Sequence, residues 1–181
     1  MNTLLPSLNI LGMDMTYKLK PLYEEKILSF FSDLFEYNRD VRIIVWDDEE
    51  YSRKVDKKSD ACNFPEVIRG NPKAENLIER LDKVVWKIYV RKYKDGVNIK
   101  DLIHEFLHVY CPKLSEKKVE DATVVFTRAF ECYELLYDQQ PLKDFFIELC
   151  KEVIFKWSGI KKPSLGQILR YDEELIKSEK S

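Results

Sequence analysis

The segment from Asn98 to Pro112 constrains the fold of this chain more than any other, because it admits one secondary structure and one environment. Leu102, Phe106 and Val109 recur on one side of a 3.6-residue period, and Ile103, Leu107 and Tyr110 on a second. A helix with that pattern must bury most of its circumference. Asn98 suits the N-cap, where its side chain accepts a first-turn amide, and Asp95-Gly96 just before it reads as a turn. Pro112 cannot continue the helix, which is expected to end near Cys111. Yet this apolar helix carries both histidines of the chain and one acid, in the pentapeptide His104-Glu105-Phe106-Leu107-His108. An idle charge in such a place is costly.

Positions i and i+4 project from one helix face, about 6 Å apart along the axis. Two imidazole nitrogens so placed can converge on one zinc ion at about 2.0–2.1 Å. Glu105, one residue round from His104, reaches a water on that metal. The metal lowers the water's pKa toward about 7, and the carboxylate takes its proton as the oxygen attacks a carbonyl. The spacing therefore predicts amide hydrolysis, with His104 and His108 as zinc ligands and Glu105 as general base. The competing reading is a helix whose histidines flank a core, with Glu105 a solvated charge.

The run Asn98-Ile99-Lys100-Asp101-Leu102-Ile103-His104-Glu105-Phe106-Leu107-His108 resembles the active-site helix of the zincin metallopeptidases. The resemblance implies an α+β fold, a small mixed or antiparallel sheet packed on the HExxH helix and followed by a C-terminal helical part. It also implies an edge strand that holds substrate in extended form. Val84 to Tyr93 alternates Val84, Trp86, Ile88 and Val90 against Val85, Lys87, Tyr89 and Arg91, a half-buried strand pattern. Trp86 and Tyr89 mark this as the expected substrate edge, with an ordinary sheet edge as the alternative. The metzincin extension would need glycine at Cys111 and histidine at Leu114, and the surroundings of Cys62 do not match the cysteine loop of peptide deformylases. No histidine remains, so the third ligand is a carboxylate or a thiolate. The most similar subgroup is the minimal gluzincins, which take a glutamate from the next helix.

Ser115 is a good N-cap for that helix, from Glu116 to about Tyr137, with Val119, Ala122, Phe126, Ala129, Phe130 and Tyr133 as its apolar stripe. A short turn over Pro112–Leu114 sends it back antiparallel to the first. At a rise of about 1.5 Å per residue, Glu120 then lies at the height of His108. Glu120 is the expected third zinc ligand. Asp121 is the alternative ligand, or the group that orients a ligand histidine, and both acids also read as solvated helix charges. Gluzincins commonly hold the oxyanion with a downstream Tyr, His or Arg, which makes Tyr133, Tyr137 and Arg128 candidates, with core packing as the alternative for the tyrosines.

Composition sets the outer limits. The 181 residues are 45% apolar, enough for one domain, with residues 1–111 holding the first helix, the sheet and the HExxH helix and residues 112–181 the helical part. A net charge of −2 leaves no basic footprint, so the expected partner is a peptide or protein substrate and not nucleic acid. Cys62, Cys111, Cys132 and Cys150 lack CxxC spacing and fit the reduced thiols of a cytoplasmic protein. No apolar run reaches the roughly 18 residues of a membrane span, and residues 1–15, broken by Pro6, Gly12 and Asp14, do not read as a secretory leader. The remaining pattern predicts a helix over Pro21–Tyr37, a strand over Val41–Trp46, and a mobile loop or short hairpin over Asp47–Asp60. A turn follows near residues 69–72, then a helix over Pro141–Trp157, a hinge at Gly159–Pro163 and a last helix over Leu165–Lys177, expected to pack on the scaffold. The expectation is a zinc-dependent endopeptidase binding one zinc ion. Its alternatives are a zincin-like zinc-binding domain acting on a non-peptide amide, or a non-catalytic interaction module.

Overall fold

The computed structural model describes residues 16–17, 21–55, 58–94 and 96–180. Residues 1–15, which bear on the leader, and Asp95 of the predicted turn lie outside them.

Helix α1 (Pro21–Phe35) forms where Ile27, Phe30, Phe31 and Leu34 recur at helical spacing, and all four are fully buried. Strand β2 (Val41–Asp47) follows, after a short β1 (Thr16–Tyr17) ahead of α1. The charged stretch after β2 is a helix, α2 (Asp48–Lys54), where a mobile loop or hairpin was expected. The reason lies in those charges. Asp47 caps the helix by accepting from Glu50 N at 2.8 Å, acids fill its first turn and Arg53 and Lys54 its last, the order that a helix dipole favours. Arg91, only 7% exposed, fastens α2 through Asp48 at 2.7 Å and lies 4.9 Å over the Tyr51 ring.

Strand β4 (Lys83–Tyr93) is the centre of a mixed sheet with β3 (Ala61–Ile68) and β5 (Gly96–Asn98). On one side it pairs in parallel with β2, Val41 opposite Trp86, and on the other antiparallel with β3, Asn63 opposite Ile88. Beyond the end of β3, Lys92 and Tyr93 pair with β5, which in turn pairs with β1. The substrate edge predicted on Trp86 and Tyr89 is therefore corrected: Trp86 faces Val41 and Pro65, Tyr89 faces Ile44 and Cys62, and β4 has no free edge there. Alternation reports which face of a strand is buried and says nothing of its edges. Among the described residues the edges on either side of β4 belong to β2 and β3, and Pro65 of β3 lacks an N–H and is tolerated on an unpaired side. Between β3 and β4, Gly70 meets the backbone so closely that a Cβ there would lie 2.2 Å from the Arg80 carbonyl oxygen.

Helix α3 (Ile99–Tyr110) lies across the face made by Val84, Trp86, Ile88 and Val90. The Phe31 ring stacks on Phe106 at 4.8 Å and Phe35 tilts onto Tyr110 at 4.9 Å. Phe126 and Phe130 of α4 (Glu116–Leu136) and Ile154 of α5 (Gln140–Ser158) join the same core. At about 1.5–3 kcal/mol for each fully buried large side chain, these contacts hold α3 rigidly from below. The last helix, α6 (Leu165–Ser178), packs as expected on the scaffold: Tyr171 stacks on Trp86 at 6.4 Å and Asp172 pairs with Arg39. The described residues thus form a mixed α+β fold with a small mixed sheet and six helices. None of those helices is long and apolar enough to cross a membrane.

Candidate metal centre

Helix α3 starts where Asn98 accepts from Lys100 N at 3.0 Å, and its apolar residues sink into the core. That leaves one strip facing outward, with His104 and His108 one turn apart and partly exposed, their Nε2 atoms 3.2 Å from each other. The third member comes from the first residue of α4. Glu116 Oε1 lies 2.9 Å from His104 Nε2 and Glu116 Oε2 lies 3.0 Å from His108 Nε2. These three side chains are the one group of metal-ligating atoms gathered within 4.8 Å among the described residues.

The protonation pattern says what such a cluster fits. Thr123 Oγ1 gives its proton to Val119 O at 2.7 Å, so toward His104 Nδ1, 3.5 Å away, it can only accept. A proton on Nδ1 leaves Nε2 with a bare lone pair, aimed at a carboxylate oxygen. In the neutral imidazole these two lone pairs, 2.9 Å apart, repel unless a metal ion sits between them, whereas a protonated imidazole pairs with the carboxylate directly. Tetrahedral ligation at about 2.0–2.1 Å separates ligand atoms by about 3.3 Å, close to the spacings observed. The residues present therefore fit a divalent ion of zinc's preferences, two imidazoles and one carboxylate, with the second imidazole nitrogen of His104 oriented by a threonine.

Glu105 is 8% exposed, and the Asn63 side chain of β3 donates to its Oε2. Burial pushes its carboxyl above the usual carboxylate range, an effect opposed by the Asn63 hydrogen bond and by the neighbouring His104 and His108. A carboxyl so placed holds a proton more readily than a surface one. Two cavities meet over it, of about 520 and 360 Å³, and His104, Glu105 and Glu116 line both. A groove thus crosses the cluster, with Ala61 on its β3 wall to one side and Asn63 and Pro65 to the other. Asp60 O accepts from Arg91 N, which turns the backbone groups of Ala61, Asn63 and Val67 away from β4.

The sequence-predicted residues divide. His104, His108 and Glu105 come together. Glu120 lines the larger cavity but stands outside the cluster, and the carboxylate that joins the histidines is Glu116. The cause is helical phase. Glu116 and Thr123 are seven residues apart and so share a face to within about 20°, whereas Glu120 lies about 60° round from Thr123. Asp121 is exposed and lines neither cavity, and Thr123 takes the orienting place expected of it. Tyr133 is buried in the core with its hydroxyl donating to Asp33 at 3.1 Å, Tyr137 donates to Glu25 at 2.9 Å, and Arg128 pairs with Glu131 at 3.1 Å. None of the three lines either cavity. Trp86 does line the smaller one, as part of its wall, while Tyr89 stacks with Trp46 at 4.7 Å on the opposite sheet face. Glu116 ranks below Glu120 in the sequence because it stands a turn closer to the loop, and Thr123, Asn63 and Tyr171 were not anticipated, although the seven-residue step from Glu116 to Thr123 was visible. In comparisons with protein families, curated proteins and solved structures, this chain matches none.

Proposed function

We propose that this chain is a zinc-dependent endopeptidase of the zincin type, in which His104, His108 and Glu116 hold one zinc ion and Glu105 is the general base. The observation that carries the reading is the convergence of His104 Nε2, His108 Nε2 and the Glu116 carboxylate. The order of elements, a small mixed sheet, then the HExxH helix, then a helix bearing a carboxylate, supports a zincin-like fold with a gluzincin ligand set. Zinc, when bound, supplies Lewis acidity and lowers the pKa of a coordinated water toward about 7. The chain's own residues do the rest. Glu105, kept in place by Asn63, accepts the proton of the attacking water and delivers it to the leaving amine. The edge of β3 aligns the substrate by main-chain pairing through Ala61 and Asn63, and the groove excludes water on both sides of the reacting bond. A cytoplasmic site of action suits the four cysteines, none of which forms a disulfide.

Metal analysis of untagged protein and cleavage of an unfolded protein substrate test this directly. Stoichiometric zinc with cleavage is expected, and Glu105→Gln should keep the zinc while losing about 10²- to 10⁴-fold in kcat. Zinc with no turnover would leave a binding module, and no zinc would end the metal reading.

A further inference from the structure

The groove is electrically polarised along its length. On the Ser59–Ala61 side the larger cavity adds Asp60, Asp101 and Glu120 to the acids of the centre, against Lys100 alone. One of these asks for a partner: Asp101 Oδ2 is buried and has no hydrogen-bond partner. A buried acceptor left so is costly, and a cationic side chain seated beside the Asp101 carboxyl in the groove lessens that cost. On the other side the smaller cavity shares Pro112 and Tyr171 with a third cavity of about 430 Å³, set between the α3–α4 turn, the α5–α6 linker and α6. Its Lys, Arg, Asp and Glu lining is Lys113, Lys161, Lys162 and Arg170 against Glu174. Lys162 pairs with Glu36, but Lys113 and Lys161 are exposed and have no ion pair among the described residues.

We propose that the groove selects polypeptides whose charge has opposite sign on the two sides of the bond to be cut, a basic side chain toward Asp101 and Glu120 and an acidic one toward Lys113 and Lys161. The inference rests on the peptidase reading for its substrate class. Geometry sets the spacing. Asp101 and Cys111 border the two outer cavities and stand ten steps apart on α3, about 15 Å at 1.5 Å per residue. An extended peptide rises about 3.3 Å per residue, so the two charges fall about five residues apart. With acids prevailing on one wall and bases on the other, a reversed peptide meets like charges at both ends.

The test is binding, independent of turnover. Fluorescence-labelled decapeptides carry Arg and Glu five residues apart in either order, with a neutral Gln version and two like-charged versions as references. Each is titrated by anisotropy into the full chain treated with a chelator. One of the two mixed orders is expected to bind about tenfold more tightly than the other four peptides, a gap of about 1.4 kcal/mol. High salt should shrink the gap, and the double variant Lys113→Glu, Lys161→Glu should erase it. Binding of all peptides within twofold of one another, no binding of any, or a preference that survives the double reversal overturns the proposal. The zinc-loaded protein is then given the neutral peptide and an unfolded substrate. Cleavage without charge preference removes the selectivity alone, and charge preference without cleavage removes the peptidase reading alone.

Discussion

At the scale of single residues, Thr123 decides how His104 presents itself. By spending its own proton on Val119 O, it offers Nδ1 only an acceptor, and Nε2 is the nitrogen that faces Glu116. A metal ion placed among the two imidazoles and the Glu116 carboxylate would satisfy all three at once. Glu116→Ala removes one of three ligands and should lower zinc affinity by more than the roughly 10- to 100-fold typical of losing an outer-shell partner. Glu120→Ala, which alters the groove wall alone, should leave it essentially unchanged. Competition with a chromogenic chelator reads both, and the opposite ranking would return the ligand role to Glu120. Thr123→Val keeps the shape of the side chain and removes the acceptor, so it should weaken zinc by an amount within that outer-shell range.

At the scale of elements, the parts that the sequence made legible are those governed by periodicity. Helix α3, its Asn98 cap and its end at Tyr110 followed from the 3.6-residue pattern and Pro112, and β2, α4, α5 and α6 fall within a few residues of their predicted spans. What periodicity does not carry is pairing. Strand β3 escaped because Asn63 and Pro65 are poor strand formers, and their use here depends on an edge that only the assembled sheet defines. Likewise Asp47–Lys54 reads as a charged loop until its cap and dipole order are weighed together. The edge position of β3 has a consequence for substrate. Peptide amides that pair with outward carbonyls of Ala61 or Asn63 donate hydrogen bonds, and N-methylation abolishes them. Scanning a cleaved peptide with single N-methyl groups should produce losses at alternate positions, with period two, beside the scissile bond. Losses spread evenly over neighbouring positions would remove β3 as the docking strand.

At the scale of the molecule, the proposed zinc at the middle of the groove and the C-terminal helix in its wall would both stabilise the fold. The ligands sit on α3 and α4, so zinc that binds only the folded chain adds about 2.7 kcal/mol when present at one hundred times its Kd. For a chain of this size that is a rise in Tm of about 5–11 °C, reversed by a chelator. Helix α6 acts through Arg39, whose side chain is 3% exposed, donates to Val109 O at 2.9 Å, lies 5.1 Å over the Trp86 ring and pairs with Asp172. Asp172→Ala leaves that guanidinium without its carboxylate. Removing one partner of a buried pair costs about 3–5 kcal/mol, and the partial exposure of Asp172 puts this pair at the low end, near 3 kcal/mol. The expected fall in Tm is about 6–12 °C, with zinc stoichiometry unchanged because none of the proposed ligands lies on α6. A chain ending at Ser158 should fall further, since it also uncovers Trp86 and removes the buried Ile160 and Ile168. A truncated chain with unaltered Tm and raised peptidase rate would instead make α6, through Tyr171 in the groove wall, a cover over the centre and not part of its scaffold.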